Sequence, residues 1–258
     1  MPARSVPLLS ALLAAGTAHG QAFVQPLPVA DERLHGHLPY ADAGSAVLVP
    51  APAGFALGQP CRVQPAVATA LSALLAAKMA SGVAGELRGV SCYRSVAHQR
   101  SVFCRPGRGC ADAERRARFV APPGYSEHET GYAIDFAVRP APGCADTSDC
   151  IADTPAGRWL LLNGARFGFE LSFPQANRQG VSWEPWHWRW VGVDGAEPAA
   201  ATARAVFAAA RLRFPAAPGI APLVVRVATQ PMPPLTALPP PLPAPPVKLP
   251  KPPRRRRR

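Results

Sequence analysis

The chain has 258 residues, of which 48% are hydrophobic and 17% are charged, and its formal net charge at pH 7 is +12. This balance excludes a fully disordered chain and a collagen-like chain, and the length suits one sizeable hydrophobic core or two small ones. A polytopic membrane protein is also excluded, because no apolar stretch approaches the ~20 residues of a membrane-spanning helix.

The first twenty residues have the pattern of an export signal. Arg4 supplies an early positive charge, residues 6–15 form an apolar core, and residues 18–20 give a small-x-small cleavage pattern. A buried N-terminal helix is the alternative. We therefore expect a signal peptide over 1–20, an N-terminal arm over 21–59, and an exported protein that is periplasmic or extracellular.

The elements predicted after the arm mix helices and strands without a regular strand–helix–strand order. Apolar residues at helical spacing predict a helix over 65–80. Thr154 is placed to cap a helix that runs to about 167, and residues 104–124 predict a loop-rich region. The other predicted helices are 95–103 and 199–212, and the predicted strands are 86–92, 132–138, 169–173 and 186–191. This mixture favours an α+β fold over a doubly wound one.

The six cysteines are predicted to form three disulfides, as is usual in an oxidising compartment. Two pairs each bracket a turn-rich loop of five residues, and two cysteines remain for a third pair. No Cys-x-x-Cys spacing occurs, which argues against a zinc knuckle. The expected pairs are Cys104 with Cys110, Cys144 with Cys150, and Cys61 with Cys92.

The C-terminal region, residues 215–258, is predicted to be a disordered extension. Its prolines favour polyproline II over a packed core, and residues 254–258 form a block of like charge. Residues 222–258 hold eight basic residues and no acid, which leaves +4 for residues 1–221, so the fold itself is not expected to bind nucleic acid. An alternative role for the tail is electrostatic binding to an anionic envelope surface.

Two predicted strands separate bulky apolar residues from polar ones. In residues 131–136, Tyr, Ile and Phe fall on one face, and Asp135 falls on the other with Gly and Ala. In residues 186–190, three tryptophans share one face, opposite His187 and Arg189. Each strand thus offers an apolar face to the core and a polar side chain on the opposite face.

These polar residues suit a metal site. With His128, the residues Asp135 and His187 give two imidazoles and a carboxylate, which fit zinc with an open fourth position for water. Taken singly, each also fits a hydrogen-bonded core residue. Glu184 could take a proton from the water if Pro185 bends the chain or if Glu184 lies in the loop before the strand.

Two motifs carry a family resemblance. Residues 126–135 reproduce Ser-x-His-x-x-Gly-x-Ala-x-Asp, and residues 184–188 reproduce Glu-x-x-His-Trp. Together they resemble the VanY-type D-alanyl-D-alanine carboxypeptidases, zinc peptidases of the superfamily that includes lysostaphin-like peptidases and the hedgehog signalling domain. The resemblance covers residues 60–214 and implies a zinc peptidase domain with a small antiparallel sheet flanked by helices. The disulfides and the basic tail depart from the family pattern.

The resemblance also implies roles for single residues. One Zn²⁺ per chain would be bound by His128, Asp135 and His187, with Glu184 as the catalytic base. An upstream Tyr-Arg-Ser-x-x-x-Gln element and the motif serine imply three substrate-binding residues: Arg94, Gln99 and Ser126.

The implied function is hydrolysis of the terminal D-Ala of peptidoglycan stem peptides. An L,D-carboxypeptidase or an endopeptidase with the same site is one alternative, and a non-catalytic zinc-containing module that binds the cell wall is another. Glu184 favours an enzyme, because a binding module needs no general base. For the terminal carboxylate of the substrate, Arg94 is the first candidate partner and Arg189 the second, with a structural ion pair as the other role for Arg189.

Three further groups of residues compete with this interpretation or are left without a role. His35 and His37 could form a metal pair, but they lie in the arm, upstream of the domain, so a surface location is expected. Glu127 and Glu129 flank His128, and no function is predicted for them. His98 lies in a predicted helix and is expected to be exposed.

Overall fold

The computed structural model describes residues 32–104 and 110–221, so the predicted signal peptide and residues 222–258 lie outside the described residues. The helices are α1 (Pro65–Ala80), α2 (Val96–Phe103), α3 (Ala113–Ala117), α4 (Pro155–Asn163), α5 (Pro198–Val206) and α6 (Ala208–Arg213). The strands are β1 (Val49–Pro50), β2 (Arg62–Val63), β3 (Glu86–Ser91), β4 (Ala133–Arg139), β5 (Phe169–Leu171) and β6 (His187–Trp190). None of the described helices is long and apolar enough to cross a lipid bilayer.

The central element is a four-stranded antiparallel sheet with the strand order β3-β4-β6-β5. In the register of β4 and β6, Asp135 lies opposite His187 and Ile134 lies opposite Trp188. Ile134 and Trp188 are fully buried in the main hydrophobic core. The predicted α+β fold with a small antiparallel sheet is confirmed, and its register brings two of the predicted metal ligands together.

Helix α1 begins and ends at the predicted residues. Pro65 occupies its first turn, where the absent N–H costs no intrahelical hydrogen bond. Its side chains Val67, Leu71 and Leu74 recur at helical spacing and are fully buried in the main core. Burying each such side chain contributes roughly 1.5–3 kcal/mol, which is why the pattern predicted this helix well.

The described part of the N-terminal arm, residues 32–59, packs against the domain. Strand β1 pairs with β2. The Phe55 ring packs directly on Gly89, because a Cβ atom at residue 89 would lie only 2.4 Å from Phe55 Cε1. Phe55 and Leu48 are both buried. This packing could not be predicted from the sequence, because the arm is irregular and its buried apolar residues do not recur at helix or strand spacing.

The C-terminal boundary also differs from the prediction, which ended the domain at residue 214. The Leu171 N–H donates to Pro218 O at 2.9 Å, and the Ile220 N–H donates to the buried Glu170 carboxylate at 3.3 Å. The chain therefore stays on the domain at least to Ile220.

Two further differences concern helices. The predicted helix over 199–212 is divided at Phe207 into α5 and α6. The predicted loop over 104–124 contains the short helix α3.

The three predicted disulfide pairs are all present: Cys61–Cys92, Cys104–Cys110 and Cys144–Cys150. Cys61 precedes β2 and Cys92 follows β3, so this bond joins two separate parts of the fold across 31 residues. The other two close short loops of sequence separation 6.

We expect the loss of the Cys61–Cys92 bond to destabilise the protein more than the loss of Cys144–Cys150. Loop-closure entropy gives roughly 3.7 kcal/mol for the longer loop and roughly 2.4 kcal/mol for the shorter one. Urea unfolding of Cys61→Ala/Cys92→Ala and of Cys144→Ala/Cys150→Ala measures both losses in the free energy of unfolding. Equal losses, or a free thiol in the oxidised wild-type protein, would contradict this ranking.

Candidate metal centre

Three predicted ligands meet at one end of the sheet. His128, Asp135 and His187 are buried, and one ligand atom from each lies within 4.8 Å of the others. Asp135 and His187 are opposed on β4 and β6, and His128 comes from the 3-10 helix Glu127–Thr130 just before β4. The two strands and the preceding turn therefore bring the ligand atoms together.

The turn that carries His128 is held by the two small residues of its motif. The Ser126 hydroxyl accepts from the His128 backbone N–H at 3.4 Å and caps the turn. Gly131 ends it at φ 72°, and a Cβ there would lie 2.6 Å from the Leu48 Cδ2 atom. The serine and the glycine are thus needed for the path of the backbone on either side of the ligand.

A hydrogen bond on the side of the His128 ring away from Asp135 fixes the tautomer of this histidine. Its Nδ1 lies 2.7 Å from Cys92 O, and because a carbonyl only accepts, Nδ1 carries the proton. The lone pair is then on Nε2, 3.1 Å from Asp135 Oδ2, where this buried atom makes no hydrogen bond. Burial, reinforced by the nearby Arg94 charge, lowers the pKa of His128 to about 4. A proton therefore does not satisfy Nε2, whereas a metal ion would.

Both ring nitrogens of His187 face carboxylates. Its Nε2 lies 3.0 Å from Glu127 Oε2 and its Nδ1 lies 2.9 Å from Asp135 Oδ1. Burial lowers the pKa of His187, but the hydrogen bonds to Asp135 and Glu127 more than offset this and raise it to about 10. The negative potential of these two carboxylates favours a proton on the imidazole, and it equally favours a metal cation bound jointly by His187, His128 and Asp135. The donor set therefore fits a metal ion.

Glu184 lies beside the ligands in the loop before β6. The His187 N–H donates to Glu184 O at 3.0 Å across a turn at Pro185, and the Glu184 N–H donates to Phe173 O at 3.1 Å. Both features that the sequence allowed as alternatives are present: Pro185 bends the chain, and Glu184 lies in the loop before the strand. Burial raises the pKa of the Glu184 carboxyl to about 8, so the group can exchange a proton near neutral pH.

The ligands and Glu184 open into a cavity of about 420 Å³. The polar part of its wall includes Arg94 and Ser126, two of the predicted substrate-binding residues. The apolar part of the lining is formed by Val102, Phe119, Val120, Ala121, Phe173 and Trp186. Phe119 is 58% exposed, which places an aromatic ring at the mouth of the cavity.

Gln99, the third predicted substrate-binding residue, lies beneath Arg94 and does not line the cavity. It is fully buried, its Oε1 accepts from Arg94 Nε at 2.7 Å, and its Nε2 donates to Ala121 O at 2.6 Å. Arg94 Nη1 also donates to Ser91 Oγ at 2.6 Å and lies 3.5 Å from Asp135 Oδ2. Gln99 therefore fixes the guanidinium beside the ligand cluster.

Arg189, the second candidate for the substrate carboxylate, takes the structural role. Its Nη1 and Nε lie 2.8 Å from carboxylate oxygens of Glu127 and Glu170, respectively, and its guanidinium lies 5.2 Å from the centre of the Phe207 ring. The side chain is 1% exposed and does not line the cavity. Arg189 therefore forms buried ion pairs.

Sequence reasoning missed Glu127 and misplaced His37. Glu127 is buried and bonded to a ligand, although its position beside His128 was the only signal in the sequence. His37 is buried and not at the surface: its ring lines the cavity, and its Nε2 lies 2.7 Å from Ala117 O. His35, the other member of that pair, is exposed and takes no part in the ligand cluster.

Comparisons with known proteins find similarity to carboxypeptidases. The chain is 34% identical over 116 residues to the putative carboxypeptidase YodJ of Bacillus subtilis, which covers 43% of this chain and 41% of YodJ. It is 31% identical over 118 residues to the bifunctional D-Ala-D-Ala dipeptidase and D-Ala-D-Ala carboxypeptidase VanXYC of Enterococcus gallinarum, covering 44% and 60% of the two chains. The match thus spans about half the length of these curated relatives.

A solved structure of the LdcB LD-carboxypeptidase has 29% sequence identity and a TM-score of 0.50, covering 61% of this chain and 72% of that one. The family profile described as VanY: D-alanyl-D-alanine carboxypeptidase matches residues 60–193, which include both motifs and every predicted ligand. That match extends over more than half of the sequence, and the chain belongs to the VanY family of D-alanyl-D-alanine carboxypeptidases.

Proposed function

We propose that this protein is a zinc-dependent D,D-carboxypeptidase that removes the terminal D-Ala from peptidoglycan stem peptides. The observation that carries the proposal is the buried cluster of two imidazoles and one carboxylate, which opens into a cavity beside the buried Glu184 carboxyl. His128 would bind through Nε2, His187 through Nδ1 and Asp135 through its carboxylate, one Zn²⁺ per chain. Two imidazoles and one carboxylate form a common catalytic zinc set with one open position.

Bound there, zinc would polarise the scissile carbonyl and lower the pKa of a water molecule. Glu184 is the general base: it takes a proton from the attacking water and delivers it to the amino group of the leaving D-Ala. Its buried position and raised pKa suit both transfers, because a group with a pKa near the working pH can accept a proton and release it again.

Arg94 recognises the free C-terminal carboxylate of the substrate. A guanidinium carries five N–H donors, and the contacts to Gln99 and Ser91 use its Nε and Nη1 positions. The planar fork can pair with both oxygens of a carboxylate and stays charged at any working pH. Arg94 Nη1 lies 3.5 Å from Asp135 Oδ2, and this closeness to a predicted metal ligand suits the recognition of a terminal carboxylate one residue beyond the scissile bond.

The rest of the cavity suits a short peptide with small side chains. Ser126 is buried at the polar wall, and the apolar wall with Phe119 at its mouth can accept the methyl groups of D-Ala and the adjoining stem. We place the enzyme outside the cytoplasm, where peptidoglycan and an oxidising environment for its disulfides are found. Residues 222–258 remain a proposed contact with anionic envelope surfaces.

A second candidate function is an L,D-carboxypeptidase with the same site. The structural similarity to the LdcB LD-carboxypeptidase favours it. Both functions use the same metal ligands and the same base, and they differ in the residue on the amino side of the scissile bond.

The first test is mass spectrometry of defined stem peptides after incubation with the zinc-loaded protein. We expect a pentapeptide ending in D-Ala-D-Ala to lose one alanine, while the matching tetrapeptide stays intact. Cleavage of the tetrapeptide alone would assign L,D activity. Cleavage of neither peptide by protein that holds zinc would support a binding module and contradict the proposal.

A second test separates the base from the ligands. Glu184→Gln removes the proton acceptor but no predicted ligand, so zinc content should stay near one per chain while kcat falls by roughly 10²–10⁴-fold, the usual contribution of general acid–base catalysis. Elemental analysis and steady-state kinetics measure the two quantities, and Glu86→Gln, at an exposed site, is the matched control. Loss of zinc from Glu184→Gln would make Glu184 a ligand instead.

A third test concerns the terminal carboxylate. Arg94→Ala should lower kcat/KM by roughly 30-fold or more, since breaking a buried charge pair costs about 2–5 kcal/mol. Replacing the substrate carboxylate by an amide should give a similar loss in the wild type and little further loss in Arg94→Ala, because both changes remove one interaction. Arg100→Ala, at an exposed position on α2, is the control. Equal cleavage of the acid and the amide by the wild type would indicate an endopeptidase.

A further inference from the structure

Glu127 lies directly behind His187, on the side of the ring away from Asp135. Its Oε2 accepts from His187 Nε2 at 3.0 Å and from the Ser172 hydroxyl at 2.5 Å. Its Oε1 accepts from Arg189 Nη1 at 2.8 Å and from the Tyr40 hydroxyl at 3.4 Å. Four donors from three separate segments, two of them on β6, therefore surround one carboxylate that is only 4% exposed.

We infer that Glu127 is the positioning residue of the metal centre, which holds His187 as the Nε2-protonated tautomer and so presents Nδ1 to the ion. The inference rests on the proposed function, because it assigns His187 Nδ1 as a metal ligand. A carboxylate only accepts, so each ring nitrogen carries a proton while no ion is bound: Nε2 toward Glu127 and Nδ1 toward Asp135. An ion bound by Asp135 would replace the proton on Nδ1, whereas Nε2 keeps its proton for Glu127. Partners of this kind orient the ring and raise the basicity of the ligand.

Arg189 keeps Glu127 in this supporting position. Glu127 also lines the cavity, so without restraint its carboxylate could turn toward the ion and compete for the open coordination position. Arg189 Nη1 holds Oε1 on the opposite side, and Arg189 is itself fixed through Nε by Glu170. Glu170 is in turn bound by Arg211 at 3.1 Å. The guanidinium therefore ties the supporting carboxylate to the C-terminal part of the domain.

Glu170 provides a matched comparison within the same network. Like Glu127, it is a buried glutamate that pairs with Arg189 at 2.8 Å. Unlike Glu127, its hydrogen bonds go to Arg189, Arg211 and Ile220, and none goes to a ligand among the described residues. Replacing either acid by its amide removes one buried charge beside Arg189, but only one of the two changes alters the partner of His187.

The experiment compares full-length wild type, Glu127→Gln and Glu170→Gln by competition for Zn²⁺ with a chromophoric chelator. Glu127→Gln should weaken zinc binding by about 10–100-fold, the usual effect of removing such a partner. Glu170→Gln should weaken zinc binding much less, because it loosens Arg189 but leaves the Glu127–His187 contact in place, even if both variants unfold at lower temperature. Equal zinc affinity in all three proteins, or equal weakening in both variants, would overturn the inference.

A second measurement needs no variant. In zinc-loaded wild type labelled with ¹⁵N-histidine, His187 should show a proton on Nε2 and none on Nδ1. A proton on Nδ1 would overturn the inference even if the protein is an active peptidase. Wild type that binds no zinc would overturn both the metal centre and this inference, whereas zinc binding without peptide cleavage would contradict the D,D-carboxypeptidase proposal and leave the support for Glu127 intact.

Discussion

The carboxylate of Asp135 faces a ring nitrogen of each of two imidazoles, and the site depends on this arrangement. The back of each ring is held by an acceptor, Cys92 O for His128 and Glu127 for His187. Burying these three polar groups together costs desolvation free energy, so the fold must hold them there by other means. The register of β4 and β6 does so, because a slip by one residue would turn Asp135 and His187 into the opposite face.

The apolar side of the same strands fixes that register. Ile134 and Trp188 lie opposite each other and are fully buried, so a slip would expose them to solvent. The alternation of large apolar and small or polar residues in β4 and β6 was visible in the sequence for this reason. Helix α1 was equally predictable, since its buried residues recur at helical spacing. Elements whose burial is periodic could be predicted from the sequence.

Other parts depend on contacts that have no local signature. Arg189 shares a strand face with His187, but its two glutamate partners lie 62 and 19 residues away in sequence. Gln99 fits the family motif, yet its burial under Arg94 follows from how α2 packs. The sequence showed which residue types were present at the site. Whether each one touches the cavity or supports a neighbour that does is decided by the tertiary structure.

The hydrogen-bond network that supports His187 extends beyond both ends of the segment that matches the family. Tyr40, which donates to Glu127, precedes the family match at residues 60–193, and Arg211, which binds Glu170, follows it. Trimming the protein to the matched segment would keep every ligand and both motifs but remove these two outer contacts. The segment that identifies the family is therefore shorter than the segment whose contacts orient His187.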